Sequence, residues 1–351
     1  MGAAERDALE GIERLRQRPA KFRDARITMA HGAGGKATRT LVEGLLAPLL
    51  GIAELSDAAS VGELALTTDS YVVRPLRFPG GSIGELAVNG TVNDLAMAGA
   101  RPLALTLSLI LEEGLASSEL QAEIEAAARA ARAAGVAIVG GDTKVVERGS
   151  CDSMYLTTTG LGRRDPRAHL SPNSLQPGDR ILVSGTIGDH GTAVMLARGQ
   201  FELLADVESD TRPLWAAVDA LLDVPNLGLR CLRDATRGGV ATVLNELAAA
   251  SGVAIVVRET NVPVRPAVAA ACEILGLDAM YMANEGTFIA VVAPDSYAEA
   301  LAALRPLPGC ENAAEIGEVK ADPRGMVVVE TGFGGRRVMD MLVGDPLPRI
   351  C

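Results

Sequence analysis

Apolar residues along the 351-residue chain change period repeatedly, and Gly- or Pro-rich stretches mark each change. Residues 63–73 alternate and are β-branched, which predicts a strand with Thr67-Thr68-Asp69-Ser70 inside it. After the turn Pro79-Gly80-Gly81, Ser82 and Glu85 make a capping-box pattern, which opens a helix to about Ala98. Residues 103–111 are a continuous apolar run, read as a buried strand, and 117–134 are an Ala-rich helix closed by Gly135. Residues 136–139 read as a strand that runs into a loop, Gly140-Gly141-Asp142-Thr143-Lys144, and 154–162 as a further strand.

The second half follows the same grammar. Strands are expected at 180–184, 253–259, 287–293, 313–319 and 325–331, and helices at 240–250, 267–275 and 295–304. Gly188-Asp189-His190-Gly191 opens another helix, and His190 reads as a helix-start residue without chemistry. The loop at 171–178, with Pro172 and Pro177, separates the halves. The order is mixed, without the βαβ rhythm of a doubly wound sheet, so the expected class is α+β in two domains. The boundaries are an extension over 1–26, a first domain over 27–170, a second over 171–331, and a mobile tail over 332–351.

That tail ends Pro346-Leu347-Pro348-Arg349-Ile350-Cys351. Its prolines favour extended backbone, and sixteen residues from 336 onward reach about 50 Å. A thiol at the extreme end can thus be delivered to a pocket of the same or a neighbouring subunit.

Composition narrows the classes. A net charge of −11 argues against a nucleic-acid surface. No apolar run approaches the roughly 18 residues that span a bilayer, and the first 26 residues lack the apolar segment of a signal peptide. Five scattered cysteines (151, 231, 272, 310 and 351) fit free thiols in a reducing cytoplasm. Three histidines without ligand spacing argue against a transition-metal site.

Oxygen ligands are plentiful. Asp69, Asp94, Asp142 and Asp234 sit at strand ends, on a small-residue helix face or in Gly-rich loops, where a carboxylate can approach a polyphosphate through Mg²⁺. The stretch His31-Gly32-Ala33-Gly34-Gly35-Lys36 opens a helix that runs to about Leu50. Its backbone N–H groups suit either an anion or a simple cap, and it lacks the P-loop spacing.

Together with Phe78-Pro79-Gly80-Gly81, Asn93-Asp94, Gly141-Asp142-Thr143-Lys144, Asp234-Ala235-Thr236-Arg237-Gly238-Gly239, Ala283-Asn284-Glu285-Gly286 and the terminal Pro348-Arg349-Ile350-Cys351, these motifs resemble the HypE family. Its members are the carbamoyl dehydratases of [NiFe]-hydrogenase maturation, within the aminoimidazole ribonucleotide synthetase-like ATP-binding superfamily. The resemblance covers residues 27–351 and leaves out the extension. It implies a homodimer that binds ATP and Mg²⁺, with Gly34, Gly35, Lys36, Asp69, Asp94, Asp142, Thr143 and Asp234 as the binding residues and the four aspartates as metal ligands. A HypF-type carbamoyltransferase would load Cys351, and ATP would drive dehydration of the thiocarbamate to a thiocyanate. Cyanide would then pass to iron on a HypC–HypD-type scaffold. The family suggests Glu285 and Lys144 as the catalytic pair, the first as base and the second orienting it or relaying.

Two rivals stand beside this reading. A selenophosphate synthetase-like enzyme of the superfamily is expected to carry a reactive cysteine near the N-terminal Gly-rich loop, where none stands, and a small-molecule kinase would have no use for a terminal thiol. A non-catalytic thiol carrier would leave the aspartates without a role.

Overall fold

The computed structural model describes residues 21–52, 55–199, 206–344 and 349–351. Residues 1–20 and the tail prolines Pro346 and Pro348 therefore lie outside the described residues. The described end of the extension packs on the body, because Phe22 meets the His31 ring edge-on and Asp24 bonds His31 Nε2 at 2.9 Å.

Helix α1 (Lys36–Leu41) continues through a π-helical Val42–Leu46 into Ala47–Leu50. Strands β1 (Ala59–Val61) and β2 (Leu64–Tyr71) follow, then the small ribbon β3 (Arg77–Phe78) and β4 (Gly81–Ser82). Helix α2 (Ile83–Met97) leads to β5 (Ala100–Glu112), α3 (Ser117–Ala133), β6 (Ala137–Val146) and β7 (Met154–Arg164). The first sheet has the order β1-β2-β7-β5-β6, antiparallel except for β5 and β6, which α3 joins as a parallel crossover. Its strands alternate as expected. Leu105, Leu111 and Leu156 are buried under α2 and α3, while Leu66, Leu103, Ile110 and Leu161 stand exposed on the other face.

The second half contributes β8 (Arg180–Val183), α4 (Asp189–Ala197), α5 (Trp215–Leu222), β9 (Cys231–Asp234) and α6 (Gly239–Ser251). It continues with β10 (Ala254–Arg258), α7 (Pro266–Leu275), β11 (Phe288–Val292), α8 (Tyr297–Leu304), β12 (Ala314–Lys320), β13 (Met326–Glu330) and β14 (Arg336–Met339). These strands form one sheet, β14-β13-β10-β12-β8-β11-β9. Ile181 and Val183 face α6 through Val240 and Leu244, while Leu182 faces the opposite layer of Val218, Leu221 and Leu304. The halves share core, because Ala96 and Met97 of α2 join that second layer. Another cluster runs from Tyr71 and Ile83 through Val194 and Met282 to Ile350 and Cys351.

Three expectations change. The Gly140–Lys144 stretch is not a loop but the middle of β6. The tail does not hang free from 332, because Arg336–Met339 pairs antiparallel with β13. Its Val338 and Met339 alternate like any half-buried strand, and the Gly-rich 332–335 supplies the hairpin turn. The capping box is also not completed by Ser82, whose Oγ has no hydrogen-bond partner. The buried Glu123 of α3 takes over. Its Oε2 accepts from Gly84 N at 3.1 Å and its Oε1 pairs with Arg77 Nε at 2.6 Å.

Removing that carboxylate strands the Gly84 amide in the core. Glu123→Ala is expected to lower stability by about 2 kcal/mol, read as a shifted urea midpoint with an unchanged m-value.

Candidate active site

Strand parity builds one wall of the site. Thr67, Asp69 and Tyr71 occupy alternate positions of β2, on the face covered by α2. Helix α2 answers with Gly90 and, one turn on, Asp94, whose Oδ2 accepts from Thr67 Oγ1 at 2.8 Å. Gly90 is required there, because a Cβ would sit 2.2 Å from the Tyr71 hydroxyl. Strand β9 ends at Asp234, and the following Arg237 reaches back to the Gly32 carbonyl at 3.0 Å. Gly34, in the left-handed region at φ +75°, lets the two loops touch, since a Cβ would meet the Arg237 carbonyl at 2.6 Å. Gly34, Thr67, Asp69, Gly90, Asp94, Asp234 and Arg237, with Glu285 and Cys351, line a cavity of about 270 Å³. A smaller one of about 150 Å³ adjoins it and shares Arg237 and Cys351.

The cavity is crowded with carboxylates. Ligand oxygens of Asp57, Asp94 and Asp234 all lie within 4.8 Å of one another. Burial, then the neighbouring charge of Asp234, pushes the Asp94 carboxyl well above its ordinary value. Burial, then Asp57, raises Asp234 to about 7. Burial raises Asp57 as well, against Arg233, which pairs with it at 2.9 Å. Three carboxylates this close in a partly dry pocket could hold a hard divalent cation, which would offset both their repulsion and their desolvation. Asp57 had no sequence signal beyond a lone aspartate before a strand, and only the fold reveals it.

Glu285 enters from the loop before β11. Asp210 fixes that loop by accepting from the Glu285 and Gly286 amides at 2.9 and 3.0 Å. Glu285 Oε1 is buried without a partner, and burial, then Asp234, raises its carboxyl well above the ordinary value. Cys351 is buried at the pocket wall, where burial pushes the thiol up and Arg237 partly opposes the shift. Its backbone is pinned, with Val72 N donating to the Cys351 carbonyl at 3.1 Å.

Asp142, Thr143 and Lys144 do not enter this pocket. The register sets Asp142 beside Ser108 and Lys144 beside Ile110, on the open face of the first sheet, opposite to Asp69. Both are exposed and pair with each other at 2.8 Å, and that contact lowers the Asp142 carboxyl. Thr143 is exposed on the same edge strand. Lys36 is also elsewhere, its Nζ 2.7 Å from Asp340 and its amide donating to the Leu342 carbonyl. Gly35 packs against that same carbonyl, so this stretch of the glycine loop clasps the tail. Of the expected site residues, the fold brings together Gly34, Asp69, Asp94, Asp234, Glu285 and Cys351, and adds Asp57, Asp210 and Arg237.

Comparison with known proteins accords with this architecture. The family model for the N-terminal domain of AIR synthase related proteins matches residues 55–164, and the model for the C-terminal domain matches 176–330. The carbamoyl dehydratase HypE of Rhodobacter capsulatus is 47% identical over 340 residues, which are 94% of this chain and 99% of that protein. The crystal structure of hydrogenase maturation protein HypE in complex with ATP matches with a TM-score of 0.79 at 44% identity, over 93% of this chain and 100% of that one. A crystal structure of a HypE–HypF complex matches with a TM-score of 0.82 at 42% identity, over 86% and 99%. The aminoimidazole ribonucleotide synthetase-like α+β fold is therefore the fold of this chain.

The raised carboxyls set a pH dependence. A group whose folded pKa lies above its unfolded one destabilises the fold once pH rises through the folded value. Without divalent ions, stability should therefore fall as pH climbs from about 4 through about 7 for Asp234. Asp234→Asn should remove much of that fall and stabilise the metal-free protein at pH 8 by on the order of 2 kcal/mol. Thermal melts in EDTA at several pH values check both.

Proposed function

Since this chain belongs to the HypE family of carbamoyl dehydratases, whose place is in hydrogenase maturation, we propose that it dehydrates a carbamoyl group carried on its own Cys351, with ATP consumed. One observation carries the reading: the last residue of the chain is buried in the same cavity as Glu285, Asp69, Asp94 and Asp234.

The chemistry starts outside the pocket. Only a thiolate accepts a carbamoyl group, and burial holds the seated thiol protonated. Cys351 is therefore loaded where water reaches it, by a HypF-type carbamoyltransferase. Back in the cavity, the carbamoyl oxygen attacks the γ-phosphorus of ATP and releases ADP. The oxygen then leaves as inorganic phosphate while both N–H protons are lost and the C≡N bond forms. Sulfur keeps its bond to carbon throughout, so a thiocarbamate becomes a thiocyanate. Glu285 takes an N–H proton; a buried carboxylate with a raised pKa suits that task near neutral pH. Asp210 keeps it aimed through the two backbone amides. Asp57, Asp94 and Asp234 would hold Mg²⁺, with Asp69 beside them. Magnesium at that position supplies neutralising charge for the phosphoryl groups. Arg237 offsets the charge of the wall around the sulfur.

Lys144 belongs to this scheme through a second copy of the chain. Leu66, Leu103, Ile110 and Leu161 leave the open face of the first sheet apolar, and Asp142 and Lys144 stand on it. A homodimer that covers this face carries Lys144 toward the neighbouring pocket. On this reading residues 27–170 form the nucleotide-binding and dimer-forming unit, 171–331 together with the strand Arg336–Met339 the second unit, and the segment beyond Met339 delivers the thiol. The cyano group is passed to iron on a HypC–HypD-type scaffold in the cytoplasm. Five unpaired cysteines fit that reducing compartment.

Supplied with a carbamoyl donor system, the C-terminal peptide should gain the mass of one carbamoyl group and lose one water after ATP and Mg²⁺ are added. Glu285→Gln should load normally yet dehydrate about 10²–10⁴-fold more slowly, and a protein lacking Cys351 that still yields thiocyanate would overturn the scheme. Subunit sharing has its own test. Lys144→Ala and Cys351→Ala proteins, each inactive alone, should regain activity when co-assembled, because the mixed dimer holds one complete site. No recovery would place Lys144 in its own chain's reaction or in none.

A further inference from the structure

The mechanism leaves one deeply buried polar ring without a task. His190 lies in the first turn of α4 with no exposure, its ring edge-on to Phe78 with centroids 5.3 Å apart. Nδ1 is 2.8 Å from Ser209 Oγ, and Nε2 is 2.9 Å from the carbonyl oxygen of Ile350. A carbonyl only accepts, so Nε2 must carry the proton and donate, and Nδ1 accepts from the serine hydroxyl. Ser209 is itself held, because its amide donates to the Pro79 carbonyl at 2.8 Å and its Oγ accepts from Thr211 N at 3.2 Å. A residue needed only to start a helix requires none of this.

The rest of the seat combines side-chain and backbone contacts: Arg349 Nε donates to the Val72 carbonyl at 3.1 Å and its guanidinium pairs with Asp152. The Arg349 carbonyl accepts from Arg198 Nη2 at 2.7 Å and from Arg74 N at 3.4 Å, and the Cys351 carbonyl accepts from Val72 N. The backbone oxygens of Arg349 and Ile350, and an oxygen of the Cys351 carboxyl group, thus each have a donor. Of these donors, the imidazole is the fully buried side chain, and it grips the peptide immediately before the thiol residue.

We propose that His190, held in one tautomer by Ser209, is the positioning residue that seats the C-terminal cysteine in the pocket. The proposal rests on the reading of Cys351 as the carrier of the reacting group. Its consequence is that His190 grips the tail by its backbone, one peptide before the sulfur. The seat is then indifferent to what the sulfur bears, so that thiol, thiocarbamate and thiocyanate forms dock alike. His190 touches no reacting atom.

The test is alkylation of Cys351 by iodoacetamide in the full-length protein, followed by mass spectrometry of the C-terminal peptide, with the buried Cys231 and Cys310 as internal references. His190→Ala should speed labelling of Cys351 about tenfold or more and leave both references unchanged. His190→Gln, whose side-chain amide can donate to the same carbonyl, should restore slow labelling, and Ser209→Ala should fall between. The latch is overturned if His190→Ala labels Cys351 at the original rate, if the Gln variant labels as fast as the Ala variant, or if the references accelerate in step. The measurement needs neither ATP nor a carbamoyl donor. A protein that labels as predicted yet never forms thiocyanate would overturn the reaction and leave the latch standing.

Discussion

The structure depends on a crowd of negative charge that it has to keep partly dry. Asp57, Asp94 and Asp234 converge from a loop, a helix and a strand end, with Asp69 and Glu285 lining the same cavity. Folding alone gives them little compensation, chiefly Arg233 on Asp57 and the more distant Arg237 near Asp69. The carboxyls of Asp57, Asp94, Asp234 and Glu285 therefore drift upward in pKa, which is how a site looks when its natural counter-charge arrives with a ligand. A hydrophobic frame has to hold them in place, and the core shared between α2 and the second sheet supplies it.

The same tension shapes the tail. A thiol buried, and set beside several carboxylates, is disfavoured as thiolate, so the seated sulfur is held as a neutral group. What secures it is therefore not its own charge. Ile350 is buried against the cluster that includes Tyr71 and Met282, which contributes about 2 kcal/mol, and the backbone hydrogen bonds add direction. The seat is thus a modest sum of weak interactions, which is what the proposed delivery of the thiol needs.

Much of the fold was legible in residue order. The alternation at 63–73 and the Ala-rich stretch at 117–134 each became the element they predicted, while the apolar run at 103–111 became a strand that is buried on one face only, since Leu103 and Ile110 stand exposed. Gly140-Gly141 misled, because glycine usually marks a turn, yet here it lies within β6, and a Cβ at Gly141 would be 1.8 Å from the Leu107 carbonyl of the neighbouring strand. The tail strand was hidden by its terminal position and charged residues, although pairing with β13 needs only backbone.

By itself the sequence determined the kinds of chemistry available: carboxylates in small-residue surroundings, a carboxylate in the loop at Glu285, and a cysteine at position 351 behind two prolines. These follow from composition and local pattern, which any short window displays. Only the tertiary structure decided which of them meet. Asp69 and Asp142 look alike in sequence, yet strand parity turns one toward α2 and the other toward the open face of the sheet. Asp57 and His190 acquire their roles from partners 37 and 160 residues away, Asp94 and Ile350. Which groups meet is set by packing between elements, and no local period carries that information.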